Sequence, residues 1–138
     1  MALENIRLFN YYTTAIMAFL YQEFPVKQHF GIEKFAKKPL QSDYPPERRF
    51  EIACHSLVWL KDNGFVDFHQ GDTQNCAFSQ VTLTMKGFTI LSQETPKSVV
   101  ERSTLGEDIK SVTEKGLESV ASELLKTALL NSFKLFGA

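Results

Sequence analysis

Residues 45–64, PPERRFEIACHSLVWLKDNG, constrain this chain more than any other stretch. Two prolines suit a helix start and not its interior, and Glu47 puts negative charge near the positive end of the helix dipole. Phe50, Ala53, Cys54, Leu57 and Leu60 recur at helical spacing, which predicts a helix from Pro46 to Asn63 with one stripe facing a core. Asn63-Gly64 closes it, because glycine accepts the left-handed backbone that a helix end needs. The chain then has room for two strands. Phe65–Phe68 is the first, and 78–83 the second, with Val81 and Leu83 alternating against Gln80, Thr82 and Thr84. The polar run 70–75, QGDTQN, joins them as a turn, and Lys86-Gly87 reads as a further turn leading into Phe88–Leu91.

The regions on either side are also patterned. Asn5–Phe24 predicts a long helix ended by Pro25, its stripe formed by Ile6, Phe9, Thr13, Ile16, Leu20 and Phe24 and widened by Tyr12, Met17 and Phe19. So broad an apolar surface implies cover on more than one side. Val26–Phe30 suits a short strand. Ile32–Lys38 suits a short helix, with Ile32, Phe35 and Ala36 inward and Lys34, Lys37 and Lys38 outward. Residues 40–45 connect it to the main helix. Residues 92–104, containing Pro96, read as a linker. From Leu105 onwards Leu117, Val120, Leu124 and Phe133 belong to a long amphipathic helical pattern, with Gly116 as its natural break. The expected organisation is an α+β domain, mostly helical, over 1–91, a linker over 92–104 and a helical arm over 105–138 that docks back or dimerises.

Composition excludes some roles. A net charge of −1 gives no overall attraction to nucleic acid, and the surplus is local: six Lys or Arg against three acids between Lys27 and Arg49. Cys54 and Cys76 have no metal or redox spacing, so neither a disulfide framework nor a metal site is expected, and a reducing cytoplasm is the default. The N-terminal residues lack a signal-peptide pattern. No apolar run approaches the roughly 18–20 residues that span a bilayer. The arm mixes Glu with Lys on its polar side, which argues against a membrane surface as its partner. His29, His55 and His69 are scattered, Ser56 beside His55 makes no triad, and the glycines form no phosphate loop. No enzymatic activity and no cofactor are expected.

Helix, strand, helix, helix, hairpin resembles the winged-helix superfamily. Two phrases carry the likeness: Trp59-Leu60-Lys61-Asp62-Asn63-Gly64-Phe65-Val66, and Leu83-Thr84-Met85-Lys86-Gly87-Phe88, the latter similar to the LT-x-x-G of MarR- and PadR-like regulators. The resemblance spans about residues 5–91. It implies a dimeric, double-stranded-DNA-binding transcription regulator. The main helix would enter the major groove with Arg48, Arg49 and His55 near the bases, and Lys34, Lys37 and Lys38 would meet phosphates. The segment Pro39–Pro45 is longer than a tight helix-turn-helix turn. The expected wing has no Lys or Arg and holds Asp72, with Asp67 just before it.

A second expectation competes with DNA. Ile52 and Trp59 lie on the helix face that also carries Arg48 and His55, where apolar side chains need cover. The C-terminal arm, from the same chain or a partner, is the expected cover, which would make the domain a protein-interaction module. Its interface residues would be Ile52, Trp59, Leu117, Val120, Leu124 and Phe133.

Overall fold

The computed structural model describes residues 3–36, 42–72, 74–92, 94–96 and 102–104, together with 123 and 126. Lys37 and Lys38, and Leu117, Val120, Leu124 and Phe133 of the arm, lie outside the described residues. The fold is α+β. Its elements run α1 (Leu3–Glu23), β1 (Gln28–Gly31), α2 (Glu33–Ala36), α3 (Pro46–Asp62), β2 (Val66–Asp67), β3 (Gln70–Asp72), β4 (Ala77–Leu83), α4 (Met85–Leu91), β5 (Glu94–Pro96) and β6 (Arg102–Thr104).

β4 is the central strand of an antiparallel sheet. β1 lies along one edge, and β2 and β3 share the other. Simple alternation fails in β4, because Phe78 and Val81 are three residues apart and both buried. A register shift between Gln28 and Phe30 accounts for this, with Gln80 at φ +54° opposite it. The extra residue resets which side chains face inward. His29 supports the irregularity: its Nδ1 accepts the Gln80 N–H at 3.2 Å. β3 takes up the start of the run read as a turn, so the hairpin is longer than expected. Within the stretch read as a linker, β5 and β6 pair as an antiparallel ribbon with Thr95 opposite Ser103.

The core lies between α1, α3, α4 and the sheet. α1 buries Leu8, Tyr12, Ile16, Met17, Ala18 and Leu20, so it is covered over a wide arc as its composition predicts. The stripe is rotated from the expected one: Ile6 is 54% exposed and Leu8 is fully buried. Thr13 and Thr14 are buried as well, their hydroxyls satisfied by the Phe9 and Asn10 carbonyls at 2.7 and 2.6 Å. On α3 the predicted stripe holds at Ala53, Cys54, Leu57 and Leu60, while Phe50 is half-buried.

α3 ends as its Asn-Gly predicts. Gly64 sits at φ +82°, the Phe65 N–H returns to the Leu60 carbonyl at 2.9 Å and the Gly64 N–H to Lys61 at 3.0 Å, a Schellman closure. The Lys86-Gly87 turn is corrected: residues 85–91 form α4. Thr84 is its N-cap, its Oγ1 accepting the Gly87 N–H at 3.1 Å and donating to the Gly64 carbonyl at 2.6 Å. Gly87, Ile90 and Leu91 face inward at helical spacing. A Cβ on Gly87 would lie 2.2 Å from the Phe65 carbonyl oxygen, so the helix approaches this corner only because residue 87 has no side chain. The threonine and glycine of the LT-x-x-G phrase thus have structural tasks, one capping α4 and the other allowing its close approach.

The N-terminus of α1 anchors the segment before α3. Glu4 accepts from both Arg7 (2.8 and 2.9 Å) and the Ser42 hydroxyl, and the Tyr44 hydroxyl donates to Asn5 at 2.7 Å. The Arg7 guanidinium, then the Ser42 hydroxyl, hold the Glu4 carboxyl down at about 2, against an ordinary 4.5. A lowered carboxylate stabilises the fold at pH above its unfolded value, and that stability is lost as pH falls through its folded value.

Two predictions follow from these contacts. Gly87→Ala gains about 1 kcal/mol of helix propensity but overpacks a backbone contact, so net destabilisation of about 1–3 kcal/mol is expected in urea unfolding. In Glu4→Gln, the fall in stability between about pH 4.5 and pH 2 should be shallower than in the wild type, read from urea midpoints across that window.

Candidate functional site

α3 is the element on which the sequence concentrates its candidate residues. Glu47, Arg48, Glu51, His55 and Asp62 are exposed along it, while Ile52, Val58 and Trp59 are half-buried. Arg48 forms an ion pair with Glu51, one turn on, and its guanidinium lies 5.8 Å from the Tyr44 ring centre. Arg49 is half-buried, with its Nε inside the protein surface. It is less available to a ligand than Arg48. Lys34 is exposed on α2, its ammonium 4.4 Å from the Phe19 ring centre.

The apolar residues of this face have a cover within the domain. Trp59 meets Phe9 of α1 edge-on with ring centres 5.0 Å apart, and stacks on Phe65 at 6.2 Å. α1 and the corner after α3 therefore supply cover for Trp59 from within the domain. α1 crosses α3 there, and an indole fills the angle between two helices and the corner after α3. A shallow groove of about 330 Å³ remains between the helices, with Phe9, Ile52 and Trp59 on its wall and Arg48, Glu51 and His55 along its rim. Ser56 is buried and donates to the Ile52 carbonyl at 2.7 Å, which leaves His55 without a hydroxyl partner on its neighbour.

The acids of the hairpin serve local structure. Asp72 accepts the Gln74 and Asn75 backbone N–H groups at 3.0 and 3.1 Å and the Asn75 side-chain amide at 2.7 Å, closing the turn. These donors hold its carboxyl below the usual range, the Asn75 side chain foremost. Asp67 pairs with Lys61 at 3.1 Å and is lowered chiefly by that bond. Negative charge in the expected wing therefore comes with turn geometry. It is also poorly suited to lie beside phosphate.

Two residues that the linear spacing did not connect come together. Cys54 on α3 and Cys76 at the end of the hairpin turn line one cavity, close enough for Cys76 to act on the Cys54 thiol. Burial, reinforced by Cys76, pushes the Cys54 thiol up to about 12. Twenty-one residues separate them in sequence, including a helix end and most of a hairpin, so no motif marks the pair. Among the described residues no group of three or more His, Cys, Asp or Glu is placed to hold a metal ion. No described helix is long and apolar enough to cross a membrane. Comparison with protein-family models, curated proteins and solved structures finds no match for this chain.

Trp59→Ala is expected to lower stability by about 2–4 kcal/mol, somewhat less than for a fully buried tryptophan. The check is that the loss is independent of protein concentration. A loss that scales with concentration would assign Trp59 to a subunit interface.

Proposed function

We propose that this chain is a winged-helix DNA-binding protein acting as a dimeric transcription regulator in the cytoplasm. The order α1-β1-α2-α3 followed by the β2/β3–β4 hairpin, with β4 between β1 and β2, supports the winged-helix reading. One observation carries the functional reading: with Trp59 tucked under α1, the exposed side chains of α3 beyond Pro46 are all polar. A helix that reads base edges requires such a surface, and Arg48 stands near its start. Lys34, with Lys37 and Lys38, supplies phosphate contacts in this reading, and the arm supplies the dimer contact.

A second reading, a protein-interaction module, is favoured by charge. Glu47, Glu51 and Asp62 outnumber Arg48 on the exposed face of α3, and Asp72 stands in the hairpin turn. Fixed acids facing a phosphate backbone oppose binding. In this reading the groove by Ile52 and Trp59 takes an apolar partner.

Titration of the purified protein against random and genomic DNA at low and near-physiological salt, with mass from light scattering, separates the two. The DNA reading expects salt-dependent binding by a dimer. Arg48→Ala should then lose about 1–3 kcal/mol on a preferred sequence. Lys37→Ala and Lys38→Ala should weaken every sequence and reduce the salt slope by about one each. Glu51→Gln, by releasing Arg48, should tighten binding. A stable oligomer that ignores DNA even at low salt would replace this reading with the protein-contact one.

A further inference from the structure

The cavity between α2, α3 and the hairpin turn, about 650 Å³, has Cys54 and Cys76 among its lining residues. Cys54 is 2% exposed, and Cys76 is half-buried. Several features hold the second thiol near the first. The Ile32 N–H, just before α2, donates to the Cys76 carbonyl at 2.7 Å. Cys76 itself adopts φ +53°, and Asp72 closes the turn that precedes it. Glu33, Glu47 and Glu51 also line the cavity. Acidic walls disfavour anionic reagents and leave a small neutral oxidant unhindered.

We propose that Cys54 and Cys76 form a reversible dithiol–disulfide site, oxidised by a small neutral hydroperoxide, which staples α3 to the hairpin turn. Cys76, the more accessible thiol, reacts first. Its sulfur attacks a peroxide oxygen, the O–O bond breaks, and Cys76 becomes a sulfenic acid with release of one water from hydrogen peroxide. The Cys54 sulfur then attacks the Cys76 sulfur. The S–S bond forms, the S–O bond breaks, and the hydroxyl leaves as a second water with the Cys54 proton. Two thiols lose two electrons and the peroxide gains them. Cys54 is buried and retains its proton, so the reaction is slow and behaves as a latch. The staple closes a loop of roughly twenty residues, which restricts the unfolded chain and couples α3 to the hairpin. The site stands independently of the DNA reading.

Intact-mass measurement tests this on the full chain, whose only two cysteines are these. Hydrogen peroxide should yield a monomer about 2 Da lighter that resists alkylation and is restored by dithiothreitol. The melting temperature should rise by roughly 10 °C. Oxidised glutathione, an anionic oxidant, should react more slowly, and the disulfide should form at least tenfold more slowly in urea than in the native protein. Cys54→Ser and Cys76→Ser should each keep one alkylatable thiol or proceed to heavier oxides. Species about 16 Da or more heavier in the wild type, disulfide-linked dimers, or equal rates in urea and in native buffer would overturn the proposal.

Discussion

The corner at Asn63-Gly64-Phe65 holds the two halves of the fold in register. α3 ends there, β2 begins there, and α4 is fastened to it from the far end of the hairpin. Thr84 reaches the Gly64 carbonyl, its own N–H bonds to Phe65, and Lys86 Nζ donates to the Asn63 carbonyl at 3.2 Å. Gly87 brings α4 against the Phe65 backbone. Carbonyls freed at a helix end are costly to bury unpaired, and here the residues that satisfy several of them also start the next helix. The angle at which β4 returns to α3 follows from this contact, and with it the position of the hairpin beside α3.

α1 is the other constraint. Its breadth allows one helix to serve α3, the sheet and α4 together, and the Glu4, Arg7 and Ser42 bonds tie its first turn to the segment entering α3. Through Phe9 it covers part of Trp59, so the fully exposed side chains of α3 are polar while Ile52 and Trp59 are left half-buried beside the groove. Opposed charges then decide the chemistry of that face: Arg48 is turned to Glu51, and Glu47 and Asp62 add to the acid. The exposed face of α3 thus carries more carboxylate than cation, with Arg48 paired to one of the acids.

Local features were legible in the chain. Proline at the start of α3 and glycine after its end have single-residue causes, and helical periodicity located the stripe at Ala53, Cys54, Leu57 and Leu60. The differences between pattern and fold have physical causes too. α4 is hidden in the sequence because Lys86-Gly87 looks like a turn in isolation; that glycine answers to the Phe65 carbonyl, twenty-two residues away. The buried stripe of α1 lies a fraction of a turn from the one its spacing suggests because an apolar helix offers several stripes, and its neighbours choose among them. The bulge at Gln80 is bonded to a histidine in β1, fifty-one residues away.

The sequence by itself determined where α3 starts and stops, that two strands follow it, and that α1 must be widely covered, since each follows from backbone preferences and short-range periodicity. Only the tertiary structure decided that α1 covers Trp59, that Arg48 is engaged by Glu51 while Arg49 is partly withdrawn, and that Cys54 meets Cys76. Those outcomes depend on how helices and sheet are placed in space, and that placement is set by contacts between residues far apart in the chain.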